Sequence, residues 1–189
     1  MEILITNDDG WGAKGILTLT RILTQLGHVT VVAPDGPRSG MSNAITPLQP
    51  LYLRELNDPN WGTEEWHKNA RVYTTNGTPS DCVKLALDVL FEGDPARINL
   101  LASGINHGSN AAINVIYSGT MGAVFVGAEH GIPSIGYSID DHSMDADFSH
   151  LETYVLELTR HLIEEGMPYG VCYNVNAPVG ELVGLKWTR

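Results

Sequence analysis

Residues 1–15, MEILITNDDGWGAKG, set the fold: a short apolar run, Ile3-Leu4-Ile5-Thr6, delivers two adjacent acids, Asp8 and Asp9, into a glycine-rich turn. The run reads as a buried strand, and the turn hands over to a helix predicted from Ile16 to Leu26. Ile16, Leu19, Leu23 and Leu26 share one face of that helix, and Gly27 stops it. HVTVVAP (28–34) is then a second strand, closed by Pro34. Working outward, the same alternation continues. Further β segments are expected at 51–56, 70–76, 97–103, 132–139 and 170–178. Helices are expected from a Thr78 cap to about Phe91, over about Thr120–His130, and over 150–165. Thr78-Pro79-Ser80-Asp81 is a helix start by composition: a capping threonine, proline at the first position and an acid three residues on. Residues 57–69 read as a surface excursion, and no repeat or linker interrupts the chain.

Strands separated by helices imply βαβ units and a mostly parallel sheet with helices on both faces, here as one domain spanning 1–189. Ligands in such folds bind outside the carboxyl ends of the strands. The loops to read are therefore 7–15, 34–47, 76–80, 103–120 and 140–148.

The formal charge of −11 argues against a nucleic-acid duplex or a membrane surface as partner, since both favour a basic face. A small anionic substrate remains compatible if a metal supplies positive charge. Cys82 and Cys172 lie in apolar stretches and are expected to be free core thiols. No apolar run approaches the ~18 residues of a membrane span, and no signal peptide opens the chain, so the expected location is cytoplasmic.

In the first of those loops, the acids Asp8 and Asp9 repel each other, and a divalent cation relieves that repulsion. Oxygen donors favour a hard ion, Mg²⁺ or Mn²⁺, over zinc, for which no thiol or histidine cluster is present. The second loop, PRSGMSNAIT (37–46), adds Arg38, Ser39, Ser42 and Asn43, and SGINHGSN (103–110) adds Asn106. Ser118-Gly119-Thr120 opens a helix, where unpaired N–H groups and the macrodipole favour an anion; a plain Ser/Thr cap explains the same residues. A metal beside an anion site suits phosphoryl transfer to water. The histidines lack metal-ligand spacing, although His107 follows Asn106 and could assist. The acids of 140–147 read as a solvated loop, and Trp61, Trp66 and Tyr52 as packing or an oligomer contact.

ILITNDDG, GAKGI, VVAPDGPRSGMSNAIT, NGTPSDCVKLAL, SGINHGSN, YSGTMGA, GIPSIGYS and NVNAP resemble, in order and over nearly the whole chain, the conserved segments of the SurE family of metal-dependent 5′/3′-nucleotidases. The resemblance implies a Rossmann-like three-layer α/β sandwich with one divalent ion, Mn²⁺ or Mg²⁺. It assigns the ion to Asp8, Asp9, Ser39 and Asn106; of these, Asp8 or Asp9 is expected to be the proton acceptor. It assigns phosphate contacts to Asn43, Ser103, Gly104, Ser118, Gly119 and Thr120. It further implies hydrolysis of nucleoside 5′- and 3′-monophosphates, polyphosphate trimming in some members, and a homodimer or homotetramer. The chain departs from the family at Ala112 and Asn114, where glycine and aspartate are usual, and at Val126, where glutamate is common. Family members usually continue past a TR like Thr188-Arg189, so the family's C-terminal tail is expected to be missing from 1–189.

Three rival readings fit less well or differ in kind. A phospho-receiver domain needs an acceptor Asp at the end of its third strand and a Lys after its fifth, and the later strand ends TTNGT, ASGIN and YSIDD are not followed by the required lysine. A haloacid-dehalogenase-type phosphatase spaces its two acids two positions apart, unlike the adjacent pair in NDDG. A non-catalytic nucleotide- or metal-binding module on the same fold is separated from an enzyme by assay.

Overall fold

The computed structural model describes residues 1–57, 61, 65–143 and 145–188; part of the 57–69 excursion and Arg189 lie outside the described residues. Seven strands form one sheet. They are β1 (Glu2–Thr6), β2 (His28–Pro34), β3 (Arg54–Glu55), β4 (Ala70–Thr75), β5 (Leu100–His107), β6 (Ser134–Ile139) and β7 (Cys172–Ala177). Their order is β3-β4-β2-β1-β5-β6-β7, with every pair parallel except β3–β4. The helices are α1 (Lys14–Leu23), α2 (Pro79–Leu85), α3 (Asn114–Tyr117), α4 (Gly119–Glu129) and α5 (Glu152–Glu165).

β1 is central, which explains its unbroken apolar run. Ile3 and Ile5 join the core on the α1 and α5 side, with Ile16, Leu19, Val155 and Leu158. Leu4 joins the opposite core on the α2 and α4 side, with Cys82, Val83, Met121 and Val124. All three β1 side chains are fully buried, so each face of the strand packs against a helical layer. This is the expected three-layer α/β sandwich. α4 is nearly apolar throughout, and its buried residues run almost continuously from Gly119 to Val124.

Several boundaries differ from the sequence expectation, each for a tertiary reason. The 51–56 segment keeps only Arg54–Glu55 as strand, because it pairs at one edge of the sheet, antiparallel to β4. The α2 helix ends at Leu85 and continues as a wider π-helical turn over Ala86–Leu90. β5 runs four residues past the predicted end: Gly104–His107 stay in the strand, with a register shift against β6 between Ser103 and Asn106. Cys82 is buried and Cys172 half-buried, both free. Among the described residues no helix is long and apolar enough to cross a membrane.

The chain steps from β1 outward to β2 on one side, and β5 lies on the other. The crevice at the carboxyl ends of β1 and β5 is therefore the topological switch point, where doubly wound sheets bind ligands.

Candidate active site

β1 ends at Thr6, and the next three residues form the floor of this crevice. Asn7 closes the turn on itself: its amide donates to the Gly10 carbonyl at 2.9 Å, and its side-chain oxygen accepts from the Gly10 N–H at 3.2 Å. That local bond spends the Asn7 side chain on the turn and leaves Asp8 and Asp9 to face outward from it.

Asp8 is buried, at 5% exposure. Thr120 in the first turn of α4 donates its hydroxyl to Asp8 Oδ1 at 2.8 Å. Burial, and then the neighbouring Asp9 charge, push the Asp8 carboxyl up to about 6, against the pull of the Thr120 bond. Asp9 is half-buried, and its Oδ2 is fully buried with no hydrogen-bond partner. Burial raises Asp9 as well, opposed by the ring and backbone amide of His107. Desolvation thus penalises both charges, and the Asp9 charge adds to the penalty on Asp8.

α4 reaches Asp8 because its first turn is bare. A Cβ on Gly119 would stand 2.8 Å from Asp8 Cβ and 3.0 Å from Asp8 Oδ2, so only glycine lets the helix end approach the carboxylate. Ser118 caps the helix, its Oγ accepting from the Met121 N–H at 3.1 Å. The Ser118 hydroxyl is therefore spent on capping and the Thr120 hydroxyl on Asp8. What this end of α4 can offer an anion is its backbone N–H groups.

The loop after β2 folds over both. The Arg38 N–H donates to the Asp8 carbonyl at 2.6 Å, which ties the loop to the end of β1 one residue before the exposed Ser39. The Arg38 guanidinium itself pairs with Asp35 at 2.7 Å. Ser42, at a left-handed φ of 52°, donates its N–H to Tyr117 O at 3.2 Å and its hydroxyl to Ile116 O at 2.6 Å. Gly122 makes room for the crest of this loop: a Cβ there would overlap the Ser42 carbonyl and stand 3.0 Å from Asn43 Oδ1. Asn43 therefore lies over the second turn of α4.

From β5, Asn106 is buried, and its side-chain NH₂ donates to His107 O at 3.1 Å and Gly108 O at 2.7 Å. With the NH₂ committed to backbone, Oδ1 is the free end of that amide. Ser103 pairs with Thr6 across β1–β5, and its buried Oγ has no hydrogen-bond partner; Gly104 follows with φ 126°. Asp8 and Asp9 thus follow β1, Ser103, Gly104 and Asn106 lie on the neighbouring β5, Ser118, Gly119 and Thr120 open α4 against Asp8, and Ser39 and Asn43 lie on the loop tied to Asp8 and α4.

The residues fit a hard divalent ion. The donors are two carboxylates, a hydroxyl and an amide oxygen, and one buried carboxylate oxygen lacks any partner. Among the described residues no three His, Cys, Asp or Glu gather as a metal-holding group, which leaves the thiol- and imidazole-rich sites that zinc prefers unrepresented.

His107 was singled out from sequence only as a neighbour of Asn106; the other groups around the crevice escaped the sequence reading. His107 is half-buried and meets Phe148 edge-on, with ring centroids 5.1 Å apart and Nδ1 buried without a partner. Ala146 and Phe148, read as part of a solvated acidic loop, are core residues, and Lys14 donates to the Ala146 carbonyl at 2.7 Å. Their apolar character within DDHSMDADFS was the available signal. Asn110, Ser138, Asn174 and Asn176 form a hydrogen-bonded chain that ties the 108–112 loop to β6 and β7; nothing in local sequence marks it.

Fold and site together define a doubly wound α/β protein whose switch point carries a paired-aspartate pocket against a helix N-terminus. The model of the family described as survival protein SurE matches residues 3–189, and the chain belongs to that family. A relative from Porphyromonas gingivalis, called 5′-nucleotidase SurE, is 43% identical over 186 residues, covering 98% of this chain and 69% of its own. One from Phocaeicola vulgatus with the same name is 46% identical over 187 residues, covering 99% and 68%. The crystal structure of the SurE protein from Aquifex aeolicus superposes with a TM-score of 0.82 at 34% identity, over 96% of this chain and 67% of that one.

Proposed function

We propose that this protein is a metal-dependent phosphomonoesterase that hydrolyses nucleoside monophosphates to nucleoside and phosphate, as a 5′-nucleotidase that also accepts 3′-monophosphates. The observation that carries the reading is the buried Asp8–Asp9 pair, with an unpartnered carboxylate oxygen, joined through Thr120 to the first turn of α4. The names of the relatives from P. gingivalis and P. vulgatus support the substrate class.

Asp8, Asp9, Ser39 and Asn106 would hold the ion, Mn²⁺ or Mg²⁺. When bound, it screens the phosphate charge and acidifies a water for attack on phosphorus. Thr120 fixes the Asp8 rotamer by its hydrogen bond. The carboxylate of Asp8 or Asp9 accepts the proton of the attacking water. Backbone N–H groups at Gly119 and Thr120, the Ser103–Gly104 segment and the Asn43 amide brace the phosphoryl oxygens for in-line displacement. The site lies at the carboxyl ends of the central strands, and we read it as open also to the end of a polyphosphate chain. We read residues 1–189 as one domain of a cytoplasmic enzyme that works as a homodimer or homotetramer.

The test is phosphate release from a panel of 5′- and 3′-nucleotides and polyphosphate. It uses metal-stripped protein with Mn²⁺, Mg²⁺ or Zn²⁺ restored, beside an Asp8→Ala, Asp9→Ala double variant. Metal-dependent release that the double variant abolishes is the expected result. Folded protein that binds nucleotide and metal yet releases no phosphate with any ion would refute it in favour of a binding module.

A further inference from the structure

The segment from Asp35 to Leu53, between β2 and β3, is the least regular part of the crevice: it has no helix or strand, and Ser39 and Asn43 on it are exposed. Their placement depends on the bonds that tie this loop to the body. Arg38 ties it to the end of β1 and Ser42 to the α3–α4 junction, as described above. The third tie comes from α2. Asp81, 4% exposed, accepts the Thr46 N–H on Oδ1 at 3.0 Å and the Thr46 hydroxyl on Oδ2 at 2.6 Å. Its Oδ2 also accepts the Thr78 N–H at 2.9 Å, completing the capping box. Thr78 in turn donates its hydroxyl to Ala44 O at 2.5 Å, one residue from Asn43.

A capping box needs only the helix's own donors. Here the capping acid takes two more from a loop 35 residues away in sequence, and both of its oxygens are used. We propose that Asp81 is a positioning residue: a buried carboxylate splint between the α2 N-terminus and Thr46, which fixes the loop so that Ser39 and Asn43 stand over the Asp8–Asp9 pair. The inference rests on the phosphomonoesterase reading for the roles of Ser39 and Asn43. The splint itself is a set of bonds independent of that reading.

An asparagine cannot replace this acid, because its NH₂ would face an N–H donor on one side or the other. Asp81→Asn therefore disturbs the helix cap as well as the loop, and Thr46 separates the two effects. Thr46→Val removes the hydroxyl bond to Oδ2 and leaves the capping box intact; Thr46→Ser restores the hydroxyl.

The experiment measures Mn²⁺ dissociation constants, inhibition or binding constants for inorganic phosphate, and kcat and KM for a nucleoside monophosphate in wild type, Thr46→Val, Thr46→Ser and Asp81→Asn. Loss of one charge-assisted hydrogen bond to the loop is expected to raise the Mn²⁺ and phosphate constants and KM about five- to tenfold in Thr46→Val. The change in kcat is expected to stay within roughly threefold, as for loss of binding common to ground and transition states. Thr46→Ser returns each constant to near the wild-type value, and Asp81→Asn exceeds Thr46→Val in all of them. Constants unchanged in Thr46→Val overturn the proposal, and so does a Thr46→Ser variant as impaired as the valine. If Asp81→Asn does not fold, the Thr46 pair decides alone. A wild type that binds Mn²⁺ and phosphate but hydrolyses nothing refutes the phosphomonoesterase reading, while the binding constants still judge the splint. A wild type that binds neither overturns both.

Discussion

Replacing Asp8 by asparagine should stabilise the chelator-treated protein while destroying its function, and the size of the gain follows from the site. The Asp8 carboxyl is raised from 3.8 to about 6 by burial and by Asp9. A group whose folded pKa exceeds its unfolded value binds more protons in the folded state, so folding loses stability as pH rises through that interval. The penalty is absent well below pH 4, grows between about 4 and 6, and is complete at neutral pH. Two pKa units at 1.36 kcal/mol each put it on the order of 3 kcal/mol. Asn keeps an oxygen to accept the Thr120 hydroxyl bond and carries no charge. For a chain of this length, Asp8→Asn should then raise Tm by roughly 6–12 °C at pH 7 with a chelator present. The gain should shrink as pH falls towards 4. Saturating Mn²⁺ should reverse the ranking in part, because an ion at 100 times its Kd adds about 2.7 kcal/mol to the form that binds it. Thermal melts of both proteins across pH 4–8, with chelator and with Mn²⁺, read all of this. A chelated Asp8→Asn protein no more stable than wild type at pH 7 would refute the electrostatic account of the pocket.

Gly122→Ala drives a methyl into the Ser42 carbonyl and should displace the loop crest that carries Asn43. We expect a stability loss of about 1–3 kcal/mol and a larger proportional loss of phosphate affinity, read by calorimetry of both. Ala112 holds a left-handed φ of 52°; Ala112→Gly should stabilise by about 0.5–1 kcal/mol in denaturant titration. Leu4→Ala opens a cavity beneath the central strand and should cost about 2–5 kcal/mol by the same assay. The Arg21–Glu152 pair, at 2.7 Å but more than a third exposed on both sides, should change stability by less than about 1 kcal/mol when Arg21 is replaced by Ala.

Some features of this protein were legible because they are local. The apolar run at 3–6, the helical periodicity after Gly15, the Thr78 cap and the Ser118 cap each depend on residues within about four positions of one another, the range over which backbone geometry and capping bonds act. The adjacency of Asp8 and Asp9 at a strand end was likewise fixed by chain order, and with the rule for doubly wound sheets it located the crevice. The resemblance then assigned particular residues to a metal and a phosphate.

The tertiary structure decided what those residues touch. Thr120 reads as part of a helix start, and its hydroxyl serves Asp8, 112 residues away, only because α4 follows β5 and β5 lies beside β1. Asp81 reads as a capping acid and also grips Thr46, because the β2–β3 loop crosses the α2 N-terminus. GIN (104–106) reads as a loop and lies in β5, because β1 and β6 on either side supply ladder partners that hold the backbone extended. Sequence determines propensity and pattern within a turn of helix or a length of strand. The pairing of distant donors and acceptors is settled by which elements become neighbours, and in this molecule that neighbourhood turns a pair of repelling acids and an irregular loop into one site.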